Sequence, residues 1–223
     1  MAVGIGLFAL LHVLPATDGI SSVDDTISEY AFTSLQWLFN LAVLLIAAGT
    51  GTVFVALVRA ETVRALSVTS VAAGLWIAGL VLIIVFEKTN WAVGPSTTGT
   101  IHRIASIVAF VALPLAVIAG AKASLPDAPG WRILTQLLGV TSWLWFALIL
   151  AAVARMMAGG PPWWRALPLG LVERGMALNE MLAVAALAIG TLSRCATRNE
   201  IRRRILVDAD AKEPGGEFSS RAG

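Results

Sequence analysis

The fold is decided by an uncharged apolar segment at residues 32–58, which reads FTSLQWLFNLAVLLIAAGTGTVFVALV. A helix needs about 20 apolar residues to cross the hydrocarbon core of a bilayer, and this segment supplies them. The whole chain has the same character, since 57% of its residues are hydrophobic, 13% are charged and its mean hydropathy is +0.81. Soluble domains carry roughly 25% charged residues. We therefore predict an integral membrane protein.

Five further apolar runs flank this segment. Helices are expected, because a spanning segment must satisfy its own backbone hydrogen bonds and the runs lack the alternating polarity of barrel strands. The sequence predicts an all-α, polytopic bundle of six transmembrane helices over 1–193, followed by a basic and then disordered cytoplasmic tail at 194–223. The first run is short and is a poor signal peptide, so we expect a short first helix or a start further upstream. The six runs lie at about 2–14, 32–58, 65–86, 101–121, 133–158 and 175–192.

Lysines and arginines predict the orientation. Arg59 and Arg64 lie in one loop, Lys122 and Arg132 lie in the next alternate loop, and five arginines follow the last span within 194–204. The positive-inside rule places these segments, and with them both termini, in the cytoplasm. We expect the membrane to be the plasma (inner) membrane of the cell. The pI of about 9.1 comes from the same tail. A basic cluster directly after a span favours contact with anionic lipids and not with nucleic acid.

The densest polar segments, 24–30, 87–103 and 165–174, fall in every second gap between the apolar runs. In the predicted orientation they share the outer face of the membrane. Ionisable groups at a membrane boundary are costly to keep dry, so their convergence predicts a site. Helix capping by Asp25 or Ser28 explains one of these groups. It does not explain four polar groups within six residues ahead of a span.

The candidate catalytic residues are His102, Glu29, Asp25 and Ser28. His102, at the outer start of the fourth helix, can exchange a proton near neutral pH, and Glu29 could hold its tautomer. A triad of Ser28, His102 and Asp25 lacks the glycines of a nucleophile elbow. The alternative is an interfacial histidine that bonds a neighbouring loop.

The candidate ligand-binding residues are Tyr30, Arg103, Glu173 and Arg174. The forked guanidinium groups of Arg103 and Arg174 suit a phosphate or carboxylate ligand, and Tyr30 would line the wall. Glu173 could instead be a first-turn acid that pairs with the helix dipole. The arginines could equally pair with carboxylates across helices, which would make the cluster a structural clasp. Glu180 lies about two turns deeper, where a charged acid needs a partner.

Metals and cofactors have little support in the sequence. His12 and His102, on different helices at similar predicted depth, could together ligate a haem iron through both axial positions. Paired membrane histidines more often bond polar neighbours. The only cysteine is Cys195, so neither an intramolecular disulfide nor a thiolate metal cluster is possible. We expect no other metal and no cofactor.

Four short motifs resemble the bacterial DUF998 membrane family. They are HVLP at 12–15, DTISEYA at 25–31, TTGTIHR at 97–103 and VER at 172–174. The resemblance covers about residues 7–192, and SEYA and the isoleucine-histidine pair are its most distinctive parts. It implies a six-helix integral membrane protein, common in actinobacteria, without an assigned activity. The positions that match the family pattern are Ser28, Glu29, Tyr30, His102, Glu173 and Arg174.

The leading functional prediction is an outward-facing polar pocket that binds a lipid headgroup or another small amphipathic molecule. The alternatives use the same residues differently. One is a membrane-embedded, lipid-modifying hydrolase or transferase in which His102 acts with a carboxylate. The others are a haem protein and a structural or assembly subunit that binds a membrane protein partner or a second copy of itself.

Overall fold

The computed structural model describes residues 1–90 and 92–212. Throughout that part of the chain all regular elements are helical, as predicted. Two 3₁₀ turns, Pro15–Thr17 and Ile27–Phe32, lie between the first two helices. The helices are α1 (Ala2–Leu11), α2 (Gln36–Arg59), α3 (Val68–Val85), α4 (Thr97–Ser124), α5 (Pro129–Met157), the single turn α6 (Trp163–Ala166) and α7 (Leu169–Lys212).

Within residues 1–90 and 92–212, five helices are long and apolar enough to cross a membrane, namely α2, α3, α4, α5 and the Leu169–Ile205 part of α7. In contrast, α1 has 10 residues, which extend about 15 Å, or half of the roughly 30 Å core. It packs antiparallel to the first half of α2, where Gly4 contacts Ala42 and Met1 contacts Gly49. The helical membrane bundle is therefore confirmed with five candidate spans. The sixth span and the cytoplasmic termini stay predictions.

Small residues bring the helices of the bundle close together. A Cβ atom on Gly120 of α4 would lie 3.2 Å from Thr69 of α3 and 3.3 Å from Leu187 of α7. A Cβ atom on Gly79 would lie 2.9 Å from the carbonyl oxygen of Ala105. Close approach of this kind is how helices associate in lipid, where no hydrophobic effect drives them together. α4 consequently lies between α3 and α7.

The last helix is longer than the sequence predicted. α7 continues through the basic segment to Lys212, whereas the last apolar run was predicted to end at about residue 192. Arginine, alanine and glutamate are good helix formers, so a helix that starts in the apolar segment can propagate through 194–204. Arg194 also fastens it to the turn after α4, donating to the Ser124 carbonyl at 2.8 Å and to Asp127 at 2.9 Å. The remaining tail, 213–223, lies outside the described residues.

Candidate functional site

Arg174 is the centre of a polar cluster at the side where α2, α4 and α7 begin, which is the predicted outer side. Its Nε donates to Nε2 of His12 at 2.7 Å, and its Nη1 donates to the backbone carbonyl of Asp25 at 2.6 Å. A longer contact of 3.5 Å joins Nη2 to the hydroxyl of Tyr30. One guanidinium group thus connects α7 to the end of α1 and to the segment before α2. All three of its nitrogens have partners within the chain.

Two aromatic rings complete the surroundings of Arg174. Tyr30 is 1% exposed, and the guanidinium carbon of Arg174 lies 5.9 Å from the centre of its ring, within cation–π range. The His12 ring lies 5.4 Å from that of Tyr30, and its Nδ1 is 2.6 Å from the Phe8 carbonyl. A carbonyl only accepts, so Nδ1 carries the hydrogen, and Nε2 is left to accept from Arg174. The two bonds together require the neutral form of the His12 ring with its hydrogen on Nδ1.

The first turns of α7 bind the same segment through two further bonds. Glu173 accepts a hydrogen bond from the backbone N–H of Ile27 at 2.7 Å. The backbone N–H of Leu171 donates to the Val23 carbonyl at 2.9 Å, which satisfies one of the donors left open at a helix start. Gly170 is needed here, because an added Cβ would lie 2.9 Å from the Ser22 carbonyl oxygen. Segment 22–27 is therefore attached to α7 mainly through backbone groups.

The carboxylates of this segment fold back on their own turn. Asp25 accepts from the backbone N–H of Ser21 at 2.8 Å, and the Ser21 hydroxyl donates to Asp24 at 3.1 Å. Short aspartate side chains commonly stabilise turns in this way. Arg174 accordingly contacts the carbonyl of Asp25 and not its carboxylate. The carboxylate of Asp25 has a complete structural explanation.

Lys88 makes the second polar connection at this side of the bundle. It forms an ion pair with Glu29 and donates to the Thr26 hydroxyl at 2.7 Å. The Thr26 hydroxyl in turn lies 3.1 Å from that of Ser28. Lys88 was not among the predicted site residues. The signal was present, because this lysine follows an apolar run on the same predicted side as a loop that holds only acidic charges.

His102 bonds a backbone carbonyl and not one of the carboxylates with which it was predicted to act. Its side chain is buried, 6% exposed, and Nδ1 lies 2.8 Å from the Phe86 carbonyl at the end of α3. Glu29 and Asp25 meanwhile bond Lys88 and Ser21. The described residues thus match the alternative interpretation, a histidine bonded to a neighbouring loop. The next residue, Arg103, is exposed on α4.

The haem hypothesis does not fit the geometry of His12. An axial ligand needs a ring nitrogen with a free lone pair. Both nitrogens of His12 are engaged, one by Phe8 and the other by Arg174. Within residues 1–90 and 92–212, no group of three or more His, Cys, Asp or Glu residues could hold a metal ion.

The five apolar spans and the polar cluster at one end of them define the class: a multi-pass helical membrane protein. The chain belongs to the family described as "Protein of unknown function (DUF998)", whose family model matches residues 1–190. The resemblance seen in the four sequence motifs is therefore confirmed over most of the chain. No curated protein and no solved structure matches it.

Proposed function

We propose that the polar cluster is a structural clasp and that the protein serves as a structural or assembly component of its membrane. The observation that carries this proposal is the set of partners of Arg174, whose three nitrogens each contact a group of the chain itself, namely His12, the Asp25 carbonyl and Tyr30. Glu173 also has a partner inside the chain. Contacts of this kind within the chain favour a clasp over an anion site.

The clasp has a clear physical task. Between α1 and α2, residues 12–35 contain only two short 3₁₀ turns, and each ordered residue costs roughly 1–2 kcal/mol of backbone conformational entropy. Such a segment stays in one arrangement only if specific contacts offset that cost. When Arg174 and Glu173 bind this segment, it is held in one position against the start of α7. The segment presents Val13, Val23 and Phe32, which are exposed apolar side chains suited to contact with another membrane protein.

A second candidate function is the binding of a lipid headgroup, and it rests on different residues from those predicted. The side chains of Lys88 and Glu29 remain 17% and 32% exposed, and Arg103 is exposed on α4. A partly accessible pair of opposite charges at a membrane boundary suits a headgroup that carries both charges. In this version Lys88 contacts the ligand, whereas Arg174 supports the wall. The enzyme hypothesis is not proposed, since Glu29 and Asp25 bond Lys88 and Ser21 and not His102.

Cysteine accessibility tests the clasp directly. Thr17 is 5% exposed, so in a Cys195→Ser background we expect Thr17→Cys to react slowly with a membrane-impermeant maleimide applied to intact cells. Adding Arg174→Ala should accelerate that reaction at least several-fold. Val23→Cys is the matched control, because Val23 is already 50% exposed and should react equally in both backgrounds.

Two results would decide against the clasp. An unchanged Thr17→Cys rate in the Arg174→Ala background would show that Arg174 does not hold the segment. Co-purified lipid that is lost in Arg174→Ala but retained in Lys88→Ala would return the anion-binding role to Arg174. Lipid lost only in Lys88→Ala would instead support the second candidate function.

A further inference from the structure

Glu180 of α7 is a buried carboxyl group that the clasp does not use. It is 1% exposed, and neither of its carboxyl oxygens has a hydrogen-bond partner among the described residues. It is also isolated in the sequence. It is the only ionisable side chain within 37–58, 68–85, 104–121, 133–154 and 175–193, the apolar interiors of the five long helices.

Glu180 lies inside the apolar part of α7, beyond the polar cluster at the membrane boundary. It follows Arg174 of that cluster by six residues, or roughly 9 Å at about 1.5 Å per residue. This is about a third of the hydrocarbon thickness. An acidic group at that depth is expensive and is by default a functional candidate. The outer clasp lies about two turns away and cannot neutralise it.

A break in the hydrogen bonding of α4 lies at the same depth. α4 and α7 run in the same direction, since Arg194 bonds the Ser124 carbonyl near their ends and Leu187 contacts Gly120. Two turns back from that contact are Glu180 on α7 and the buried Pro114 region on α4. Proline has no N–H, so it cannot donate to the carbonyl of Phe110 in the preceding turn. Side chains on a helix lean toward the start of the helix, so the carboxyl group of Glu180 lies nearer to the depth of the Phe110 carbonyl than its Cα atom does.

The adjacent residue fixes this part of α7 in place. Asn179 donates from Nδ2 to the Leu138 carbonyl and to the Ser142 hydroxyl of α5, both at 2.7 Å. These bonds give Asn179 a structural role between α7 and α5. Glu180, in contrast, makes no bond that would explain an acid at its position. A leucine or methionine could occupy the same volume without the cost of a buried polar group.

The residues around Glu180 determine whether it can bind a metal cation, a basic side chain or a proton. A metal cation requires several oxygen ligands, and no group of three or more His, Cys, Asp or Glu side chains in the described residues could hold one. The helix interiors supply no lysine, arginine or histidine to form a pair. A proton needs a single oxygen atom and removes the charge entirely. We propose that Glu180 is an intramembrane proton-binding site that exchanges its proton with the solvent.

Infrared difference spectroscopy of the full chain in lipid vesicles tests this proposal. The spectrum of wild type minus Glu180→Gln should show the carbonyl stretch of a carboxylic acid, and this band should move to lower frequency after transfer to deuterated water. Glu200→Gln is the matched control, since the exposed Glu200 pairs with Arg204 and should yield only carboxylate bands. Carboxylate bands from Glu180 would overturn proton binding. An acid band that never shifts in deuterated water would overturn exchange.

Isotope labelling keeps the test valid if Glu180→Gln does not fold. Wild-type protein with ¹³C-labelled glutamate should show an isotope-shifted acid band, and its absence would overturn the proposal without any substitution. The band should disappear on return to unlabelled glutamate and persist in ¹³C-labelled Glu200→Gln and in ¹³C-labelled Glu173→Gln, and its loss in Glu173→Gln would assign it to Glu173 and overturn the proposal. The readout is independent of Arg174, so failure of the clasp and failure of the proton site are distinguishable.

Discussion

Replacing Arg174 by alanine should destabilise the protein strongly. The substitution removes two short bonds, of 2.7 Å to His12 and 2.6 Å to the Asp25 carbonyl, and one long contact to Tyr30. His12 is exposed, so water can replace its lost donor. The half-buried carbonyl of Asp25 and the buried ring of Tyr30 are compensated less well.

The size of the effect follows from these contacts. Hydrogen bonds to charged groups contribute about 1.5–3 kcal/mol each. The cation over the Tyr30 ring adds about 0.5–1 kcal/mol. Because Arg174 is only partly buried, we take the lower end for each contribution, which gives a loss of about 3.5 kcal/mol in the free energy of unfolding. At roughly 2–4 °C per kcal/mol for a chain of this size, Tm should fall by about 7–14 °C.

Thermal unfolding in detergent, followed by tryptophan fluorescence, measures this change. Arg174→Lys should lose most of the same stability, because an ammonium group keeps the charge but cannot reach several partners as the planar fork does. Arg165→Ala, an exposed arginine in α6, is the control and should shift Tm by no more than about 2 °C, as surface substitutions do. If Arg174→Ala lowered Tm no more than Arg165→Ala does, the reasoning from hydrogen bonds would be refuted.

Three further predictions use the same unfolding assay. Lys88→Met should cost only about 0.5–1 kcal/mol, because its ion pair is partly exposed to solvent, and a loss above about 2 kcal/mol would contradict this. Gly99→Ala should destabilise the protein by about 1–3 kcal/mol, since a Cβ there would overlap the backbone and hydroxyl of Thr89. Its control, Gly74→Ala, places the Cβ in open space and should be neutral or stabilising. Equal effects of the two substitutions would contradict this packing. Asn179→Leu should cost about 0.6–2 kcal/mol, because it removes both bonds to α5, and an unchanged Tm would show that these bonds contribute nothing.

The sequence was sufficient for features that depend on local composition. An uncharged run such as 32–58 can only be accommodated in lipid, and the structure has a 24-residue helix there. The family resemblance was also readable from short motifs. The first apolar run was harder, because 2–14 is long enough for a helix but too short for a comfortable span. Its 10-residue helix leaves the sixth span a prediction.

The partners within the site could not be predicted, because they depend on where separate loops meet. His102 was paired with a carboxylate on chemical grounds, yet the end of α3 presents the Phe86 carbonyl to it first. Arg174 was expected to hold an anion or a carboxylate, yet the nearest acceptors are a backbone carbonyl and His12. A single sequence gives the donors and acceptors of each loop. The choice among them is made by packing.

The central claim, that α7 holds the segment before α2 in place, is tested most directly by amide hydrogen exchange of residues 21–31 in lipid nanodiscs. The wild type should exchange slowly there despite the lack of a long helix, because Glu173 accepts from the Ile27 N–H and Arg174 fixes the Asp25 carbonyl. In Arg174→Ala the same peptides should exchange at least tenfold faster, while peptides from α4 stay unchanged. Fast exchange already in the wild type, or equal exchange in both proteins, would contradict the clasp.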